Sequence, residues 1–427
     1  MSPIRVALLG GGIVGSQVAR LLTENADDLA QRIGTPVELV AVAVRDASKP
    51  RPGIPAHLVT TDAAAVAASG ADIVVEVMGG IEPARSLILS AMAHGSSVVT
   101  ANKALLASDP SPLYSAAREA GVDLYFEAAV AAAIPLIRPL RESLAGDRVT
   151  KVMGIVNGTT NYMLTRMDED GVEFGEAFEE AGELGYLEAD PSLDVDGHDA
   201  AAKAAILAEL AFHTRVTLDQ VDTEGIREVD SEDVEAAQDM GFVIKLLAVA
   251  ERNDAGVIVR VHPTMVPRTH PLATVNGSFN AVFVEAEAAG EMMFYGRGAG
   301  GAQTASAVLG DVVSAARNKL AGGRGPGESV YANLPVLPIG AALTRYYVNM
   351  SVADKPGVLA SIASAFSDNG VSIQVVRQDG HGEDAGLVVR THVATDAALK
   401  RTVDQLSNLD AVREVLGVMR VEGESGE

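Results

Sequence analysis

The sequence predicts an α/β chain in three parts: a doubly wound parallel sheet, a mixed α+β middle, and a small C-terminal ferredoxin-like domain. Three observations carry that prediction. Strand-like and helix-like segments alternate as far as residue 130, which is how a parallel sheet with helical crossovers reads. The first apolar run ends in Gly10-Gly11-Gly12-Ile13-Val14-Gly15, a glycine turn at a strand-to-helix junction. Beyond the Gly- and Pro-rich stretch 321–338, the chain reads strand, helix, two strands, helix, strand, the βαββαβ order.

Taken in order, residues 4–9 (Ile-Arg-Val-Ala-Leu-Leu) have a buried-strand pattern. Residues 13–31 read as one helix, with Val14, Val18, Leu21 and Leu22 near helical spacing. Val37–Val44 is almost continuously apolar, as suits a strand covered on both faces. Asp72–Met78, Ser97–Val99 and Val122–Phe126 read as strands, and Pro83–His94 and Leu113–Ala120 as helices. A strand at Lys151–Val156 meets the polar turn Asn157-Gly158-Thr159-Thr160-Asn161, which caps a helix through Met167. Asp199–Ala211 is a helix, and Val257–Val261 and Ala281–Glu287 are strands. In the last part, strands at Tyr346–Ala353, Val371–Arg377, Ala385–His392 and Val412–Val421 alternate with helices at Pro356–Asn369 and Ala397–Leu406. The expected boundaries are 1–130 for a nucleotide domain with 300–320 returning to it, 131–320 for the catalytic part, 321–345 for a linker and 346–421 for the small domain. The linker is expected to let the small domain fold and pair as a unit.

Composition removes several function classes. Against 33 Lys and Arg stand 57 Asp and Glu, a net charge of −24, which repels phosphate backbones and argues against a nucleic-acid partner. There is no cysteine, so disulfides, thiolate nucleophiles, thiolate zinc sites and iron–sulfur clusters are excluded. No apolar run reaches the ~18 residues of a membrane span, so no membrane partner is expected. The N-terminus lacks the basic and long apolar regions of a signal peptide, and a cytoplasmic location is expected.

Four motifs carry chemistry. In the glycine turn, Gly10 permits the tight reversal, Gly12 lets backbone approach a pyrophosphate, and Gly15 lets helix pack on strand, as in a Rossmann-type fold. At the end of the second strand stands Arg45, placed to hold a 2′-phosphate or stack on adenine, with Asp46 beside it as the alternative holder of a ribose hydroxyl. The reading favours NADP(H), with NAD(H) accepted. Thr100-Ala101-Asn102-Lys103 follows a strand C-terminus, where open α/β sheets place ligands. The fourth motif is the acidic run Gly185–Asp199, leading into a helix on which Asp199 and Lys203 are four residues apart and share a face. Several carboxylates can hold an ammonium group, and a lysine beside a carboxylate can pass a proton to a carbonyl oxygen, helped by burial that lowers its pKa. The bland alternative is a solvated acidic loop with an N-cap. A calcium loop is excluded, because Gly197 is misplaced and no Glu closes it.

In their order, these motifs resemble homoserine dehydrogenase along essentially the whole chain. Also similar are Phe-Glu-Ala-Ala-Val at 126–130, Gly-Tyr-Leu-Glu-Ala-Asp-Pro at 185–191, Asp196-Gly197-His198-Asp199-Ala200-Ala201-Ala202-Lys203 and Tyr295-Gly296-Arg297-Gly298-Ala299-Gly300. The resemblance implies reversible NAD(P)-dependent reduction of L-aspartate 4-semialdehyde to L-homoserine, on the route to threonine and methionine. It implies Lys203 as proton donor, Asp199 as its partner, Glu188 as the amino-acid-binding residue and Asp194 in support. Lys103 lies beside nicotinamide and substrate, Gly158 and Thr159 near both, and Ile13, Val14 and Gly298 at the cofactor. A monovalent cation such as Na+ maps to Glu127, Val130, Ala132 and Ile134, although Ala132-Ala133 stands where the family often has Gly-Gly. Gln303 stands where the glycine loop often continues with Pro.

The segment Val352–Leu359 resembles the start of an ACT domain, which implies amino-acid binding at its strand-to-helix turn. Asp354, Gly357, Val358, Leu359 and Asn369 are the implied effector contacts and L-threonine the implied effector. A bare dimerisation module is the alternative, and either way a homo-oligomer, dimer or tetramer, is expected. Two other functions compete with this one: a dehydrogenase of another amino-acid semialdehyde, and a non-catalytic nucleotide and amino-acid sensor. Phosphorylating semialdehyde dehydrogenases need a nucleophilic cysteine, which is missing. A non-catalytic nucleotide and amino-acid sensor has no use for the Asp199–Lys203 pair.

Overall fold

The computed structural model describes residues 2–108, 110–187, 190–380 and 384–423. The chain packs as two compact units, one of Met1–Val152, Ala202–Leu218 and Phe279–Asn333, the other of Met153–Ala201, Asp219–Ser278 and Leu334–Glu427. The first unit opens with β1 (Ile4–Leu9), α1 (Ile13–Glu24), α2 (Ala26–Ile33), β2 (Val37–Ala43), β3 (Val59–Thr60), α3 (Ala63–Ala67) and β4 (Ile73–Glu76). It continues with α4 (Ala84–Ala93), β5 (Ser97–Thr100), α5 (Lys103–Ser108), α6 (Ser111–Ala120) and β6 (Leu124–Tyr125). All six strands are parallel, in the order β3-β2-β1-β4-β5-β6. The order reverses between β1 and β4, so the glycine turn after β1 opens at the switch point where such sheets bind ligands. One expectation needs correction. Residues 13–31 form two helices rather than one, because Asn25 ends α1 with its backbone N–H on Leu21 O and then serves as the N-cap position of α2.

The middle of the chain carries β7 (Val149–Ile155), α7 (Gly158–Asp170), α8 (Phe174–Glu183), α9 (Ser192–Val195) and α10 (His198–Phe212). Then come β8 (Asp222–Thr223), α11 (Ser231–Asp239), β9 (Phe242–Arg252) and β10 (Val257–Pro267). β9 and β10 pair antiparallel from Val257↔Arg252 to Pro267↔Phe242. The sequence reading gave only the first part of β10, Val257–Val261, and missed β9, since burial on both faces removes the alternation that marks a strand. The chain then returns to the first unit with the hairpin β11 (Phe279–Ala286) and β12 (Gly290–Arg297) and with α12 (Gly301–Leu320). Val308 and Val312 of α12 join Val18 and Leu22 of α1 in the core beneath β1 and β4.

The stretch expected to be a linker is tied down. Gly325 N–H donates to Asp123 Oδ1, Ala332 N–H donates to His213 O, and Val336 bridges to Val257. After it come β13 (Leu343–Ala353), α13 (Val358–Asp368), β14 (Ile373–Asp379), β15 (Asp384–Thr391), β16 (Ala394–Thr395), α14 (Asp396–Leu406) and β17 (Val412–Val421). The small sheet runs β17-β13-β15-β14, with Val348, Met350 and Val352 packed against Ile362 and Phe366 of α13 and Leu399 and Leu406 of α14. Its β17 edge is covered within the same chain: β17 pairs parallel with β10 at Thr264↔Arg420 and Met265↔Val421. Arg260 of β10, fully buried, meets Glu422 at 2.5 Å and Glu251 at 2.9 Å across this joint. No helix among the described residues is long and apolar enough to cross a membrane.

Candidate active site

The first unit supplies a dinucleotide cradle. Gly10 has φ +114°, and a Cβ there would stand 2.8 Å from Val77 O. A Cβ on Gly15 would stand 2.1 Å from Gly10 O, so helix and turn close only on glycine. Gly12 faces open space, Ile13 is 80 % exposed at the mouth of α1, and Val14 is half-buried behind it. Arg45 is exposed at the end of β2, while Asp46 Oδ1 is engaged by Ser48 N–H and Oγ, which hold its carboxyl below the usual range. Arg51, which the sequence reading passed over, donates from Nε to Gly11 O at 3.1 Å and so puts a second cation on the glycine turn.

The loops after β4 and β5 are lashed together by Glu76, also missed from sequence. Fully buried, it accepts from Thr100 Oγ1 at 2.6 Å and from the N–H groups of Met78 and Gly79 at 2.8 and 3.1 Å. Asn102 donates to Gly80 O at 2.6 Å, which sets Lys103, half-buried, at the start of α5. A carboxylate at the end of Ile73-Val74-Val75-Glu76 was the available signal. Gly298 follows β12, and a Cβ there would fall 1.9 Å from Asn280 Nδ2.

The second unit holds the acidic cluster. Asn157 caps α7 by accepting from Thr160 N–H at 2.9 Å. Its Nδ2 donates to Asp194 Oδ1 at 2.7 Å and to Asp199 Oδ2 at 2.9 Å, one hydrogen to each. Asp194, Asp199 and Thr159 are buried, Gly158 is half-buried, and Thr159 Oγ1 donates to Tyr186 O at 3.0 Å. Glu188 lies outside the described residues. Helix α10 carries both Asp199 and Lys203, 9 % and 8 % exposed, one turn apart. Gly197 with φ +80° starts that helix, accepting from Ala201 N–H at 2.8 Å. Lys245, buried in β9, donates to Asn161 Oδ1 and Val275 O at 3.2 and 2.7 Å, anchoring α7 one turn beyond its cap.

Glu127 in the first unit accepts three backbone N–H groups, from Leu136 and Ile137 on Oε1 at 2.6 and 2.7 Å and from Arg138 on Oε2 at 3.0 Å. This cradles the loop that carries Val130, Ala132 and Ile134. Ala131 and Ala132 have φ +56° and +44°, so the loop keeps a left-handed path that alanine adopts only under strain. Oε2 also faces the Arg138 guanidinium, with Nε at 3.8 Å, and a carboxylate offers about four lone-pair sites. Among the described residues, no three His, Asp or Glu side chains cluster as a metal site.

At the C-terminal domain, Gly357 with φ +93° occupies the N-cap position of α13, and Val358 and Leu359 follow in its first turn. Asp354 accepts from Gln378 at 3.4 Å. Asn369 is not brought to that turn. It sits at the opposite end of α13, donating to Ala365 O and Gln405 Oε1, because a helix of this length separates the two ends.

A glycine turn at the switch point of a parallel sheet, and a helix bearing a buried Asp and Lys, suit a dinucleotide-dependent enzyme, and the family matches make that class a nicotinamide-dependent oxidoreductase acting on CH–OH. The family models that match are the homoserine dehydrogenase NAD-binding domain over residues 10–127, homoserine dehydrogenase over 135–313 and the ACT domain over 346–411. The chain belongs to the homoserine dehydrogenase family. It is 56% identical to homoserine dehydrogenase from Corynebacterium glutamicum over 99% of this chain and 96% of that one. A crystal structure of homoserine dehydrogenase from Thiobacillus denitrificans superposes with a TM-score of 0.92 at 39% identity, covering 99% of each chain. A hyperthermophilic archaeal homoserine dehydrogenase in complex with NADPH gives a TM-score of 0.64 at 28% identity, over 77% of this chain and 100% of that one.

Proposed function

We propose that the chain carries out its family's reaction, interconverting L-aspartate 4-semialdehyde and L-homoserine, with NADP(H) preferred and NAD(H) accepted. The observation that carries this reading is the buried Asp199–Lys203 pair on α10, with Asp199 fixed by Asn157. The nicotinamide supplies or takes the hydride when bound. Lys203 protonates the carbonyl oxygen in the reductive direction, with Asp199 one turn before it on the same helix as its partner. Glu188 and Asp194 hold the substrate ammonium, Lys103 steadies the carbonyl end, and Gly158 and Thr159 shape the rim. Gly10, Gly12, Ile13, Val14, Gly15 and Gly298 cradle the dinucleotide. Arg45 and Arg51 neutralise the 2′-phosphate, as the NADPH complex of the archaeal relative makes reasonable.

A monovalent cation is held by Glu127 with the carbonyls of Val130, Ala132 and Ile134, where it neutralises the carboxylate and fixes the loop. The ACT domain senses a small amino acid, L-threonine, with its carboxylate on the N–H groups opening α13 at Gly357, Val358 and Leu359 and its ammonium on Asp354. The enzyme works in the cytoplasm as a homo-oligomer, dimer or tetramer. Steady-state turnover of aspartate semialdehyde with NADPH and with NADH, each with and without L-threonine, tests the whole reading. No oxidation of either cofactor overturns it.

A further inference from the structure

The turn that joins Asp194 to Asp199 rests on a segment to which none of this chemistry gives a role. Residues 223–227 lead from β8 to α11 within the second unit. Ile226 N–H donates to Val195 O at 2.8 Å, and Arg227 pairs with Asp196, its Nη2 standing 3.2 Å from Oδ2. The two backbones touch at Gly225, where a Cβ would stand 2.2 Å from Val195 O and 2.5 Å from Asp196 Cα. Gly197, which starts α10, is walled by the same segment: a Cβ there would stand 3.2 Å from Thr223 Cγ2 and 3.4 Å from Glu224 O. The segment is itself seated on β10, through the pairing Val261↔Thr223 and a bond from Glu224 N–H to Val261 O at 2.8 Å.

A charge from β17 also holds this segment. Glu224 Oε2 meets Arg420 Nη1 at 3.0 Å. Arg420 is fixed by two further groups: its Nε donates to Asp396 Oδ1 at 2.9 Å, and its guanidinium stands 5.8 Å from the centre of the Tyr346 ring. The Arg420 side chain is 15 % exposed and that of Glu224 55 %. An ion pair with one partner so exposed adds little to stability. Position is another matter, since a displacement of about 1 Å near a reacting centre costs on the order of 10²-fold in rate. Two steps of contact therefore join Arg420 to the buried carboxylates: its pair with Glu224, then the packing of 224–226 on 195–197.

We propose that Glu224 and Arg420 are positioning residues for Asp194 and Asp199. The ion pair sets segment 223–227, and that segment sets the turn from Val195 to Gly197 between the two carboxylates. The proposal rests on the reading of Asp194 and Asp199 as groups that handle the substrate. Glu224→Gln in the full chain tests it. Its kcat/KM for aspartate semialdehyde should fall on the order of 3- to 10-fold, the range seen for coupling through packed neighbours. NADPH affinity, read by fluorescence titration, should be unchanged, and the melting temperature should stay within about 2 °C of wild type. General damage to the fold would move all three. Arg420→Gln should match Glu224→Gln in kcat/KM, and the double variant should lose no more than either single change. Hydrogen exchange gives a reading without substrate: the amides of 195–201 should exchange faster in Glu224→Gln, and those of β1 at the wild-type rate. Unchanged kcat/KM in Glu224→Gln overturns the proposal, as does an additive loss in the double variant. Failure of the wild-type chain to reduce the semialdehyde overturns the reaction reading alone; unchanged exchange over 195–201 then overturns this proposal separately. Arg420→Gln strands the buried Asp396 and can fail to fold, whereas Glu224 is exposed and its variant decides the question by itself.

Discussion

Asn157 Nδ2 donates to Asp199 Oδ2 at 2.9 Å, and the same nitrogen's other hydrogen goes to Asp194 at 2.7 Å. A single amide therefore sets the spacing of two buried carboxylates. Asn157→Ala should let them splay and lower turnover on the order of 10–10² fold, since misplacement of about 1 Å at a reacting centre costs that much. Asn157→Asp should be worse, because three carboxylates would then share one buried site. Turnover measured alongside circular dichroism checks this; wild-type rates in Asn157→Ala would remove Asn157 from the site.

Lys203→Ala should cost on the order of 10²–10⁴ in turnover with the fold preserved, the usual range for a lost general acid. The expected signature is a fall in kcat rather than a rise in KM. Near-normal kcat would move the proton-donor role elsewhere.

Arg45 and Arg51 give a prediction about cofactor choice. Arg45→Ala should weaken NADPH by ~1.5–3 kcal/mol and leave NADH nearly unchanged, because only NADPH loses a charge-assisted bond. Arg51 also braces Gly11 O, so Arg51→Ala should weaken both cofactors, with NADPH losing more. Fluorescence titration of the two cofactors separates these outcomes; equal losses in Arg45→Ala would point to adenine stacking.

Glu422 shields a fully buried arginine. Glu422→Ala should destabilise the fold by about 3–5 kcal/mol, since it strands part of the charge of Arg260 in the interior. Truncation after Ala321 should do more, by stripping β17 from β10 as well. Thermal unfolding reads both, and an unshifted melting temperature for Glu422→Ala would contradict the buried pair.

Asp233 gives a pH dependence. Burial and its neighbour Asp230 push its carboxyl up to about 6. The folded state therefore binds more protons than the unfolded chain between the ordinary aspartate value and about 6, so this group's stabilising contribution falls as pH rises through that window. Asp233→Asn should be more stable than wild type at pH 7, with the difference shrinking toward pH 4. Parallel melting curves for the two proteins would refute this.

Local features were legible in the sequence and distant ones were not. Gly10, Gly12 and Gly15 declare their turn within six residues, because steric need and spacing are both local. The small domain's strands follow from alternation, as with Tyr346, Val348 and Met350, which share one face of β13. Asn157 reads as a helix cap, and that is correct, but its bonds to Asp194 and Asp199 span 37 and 42 residues and leave no periodic trace. Arg51 sits in an irregular loop whose path no pattern specifies. Asn25 divides one helical pattern in two through its backbone, which leaves helical geometry at φ −104° and ψ 19°, a change that periodicity does not record. The joint of β17 with β10 links residues more than 150 apart in sequence and rests on charges, Arg260 and Glu422, that read as surface residues.

That joint also bears on how the protein is made. β17 follows in the chain every strand that it borders, so during synthesis β10 must wait, its edge unsealed at Thr264–Met265, until β17 has left the ribosome. A nascent or proteolytically clipped chain lacking those residues presents the end of a long apolar strand as a template for another chain. β17 thus acts as a cover strip for β10: a chain without Arg420 and Val421 leaves this edge open to pairing with another chain.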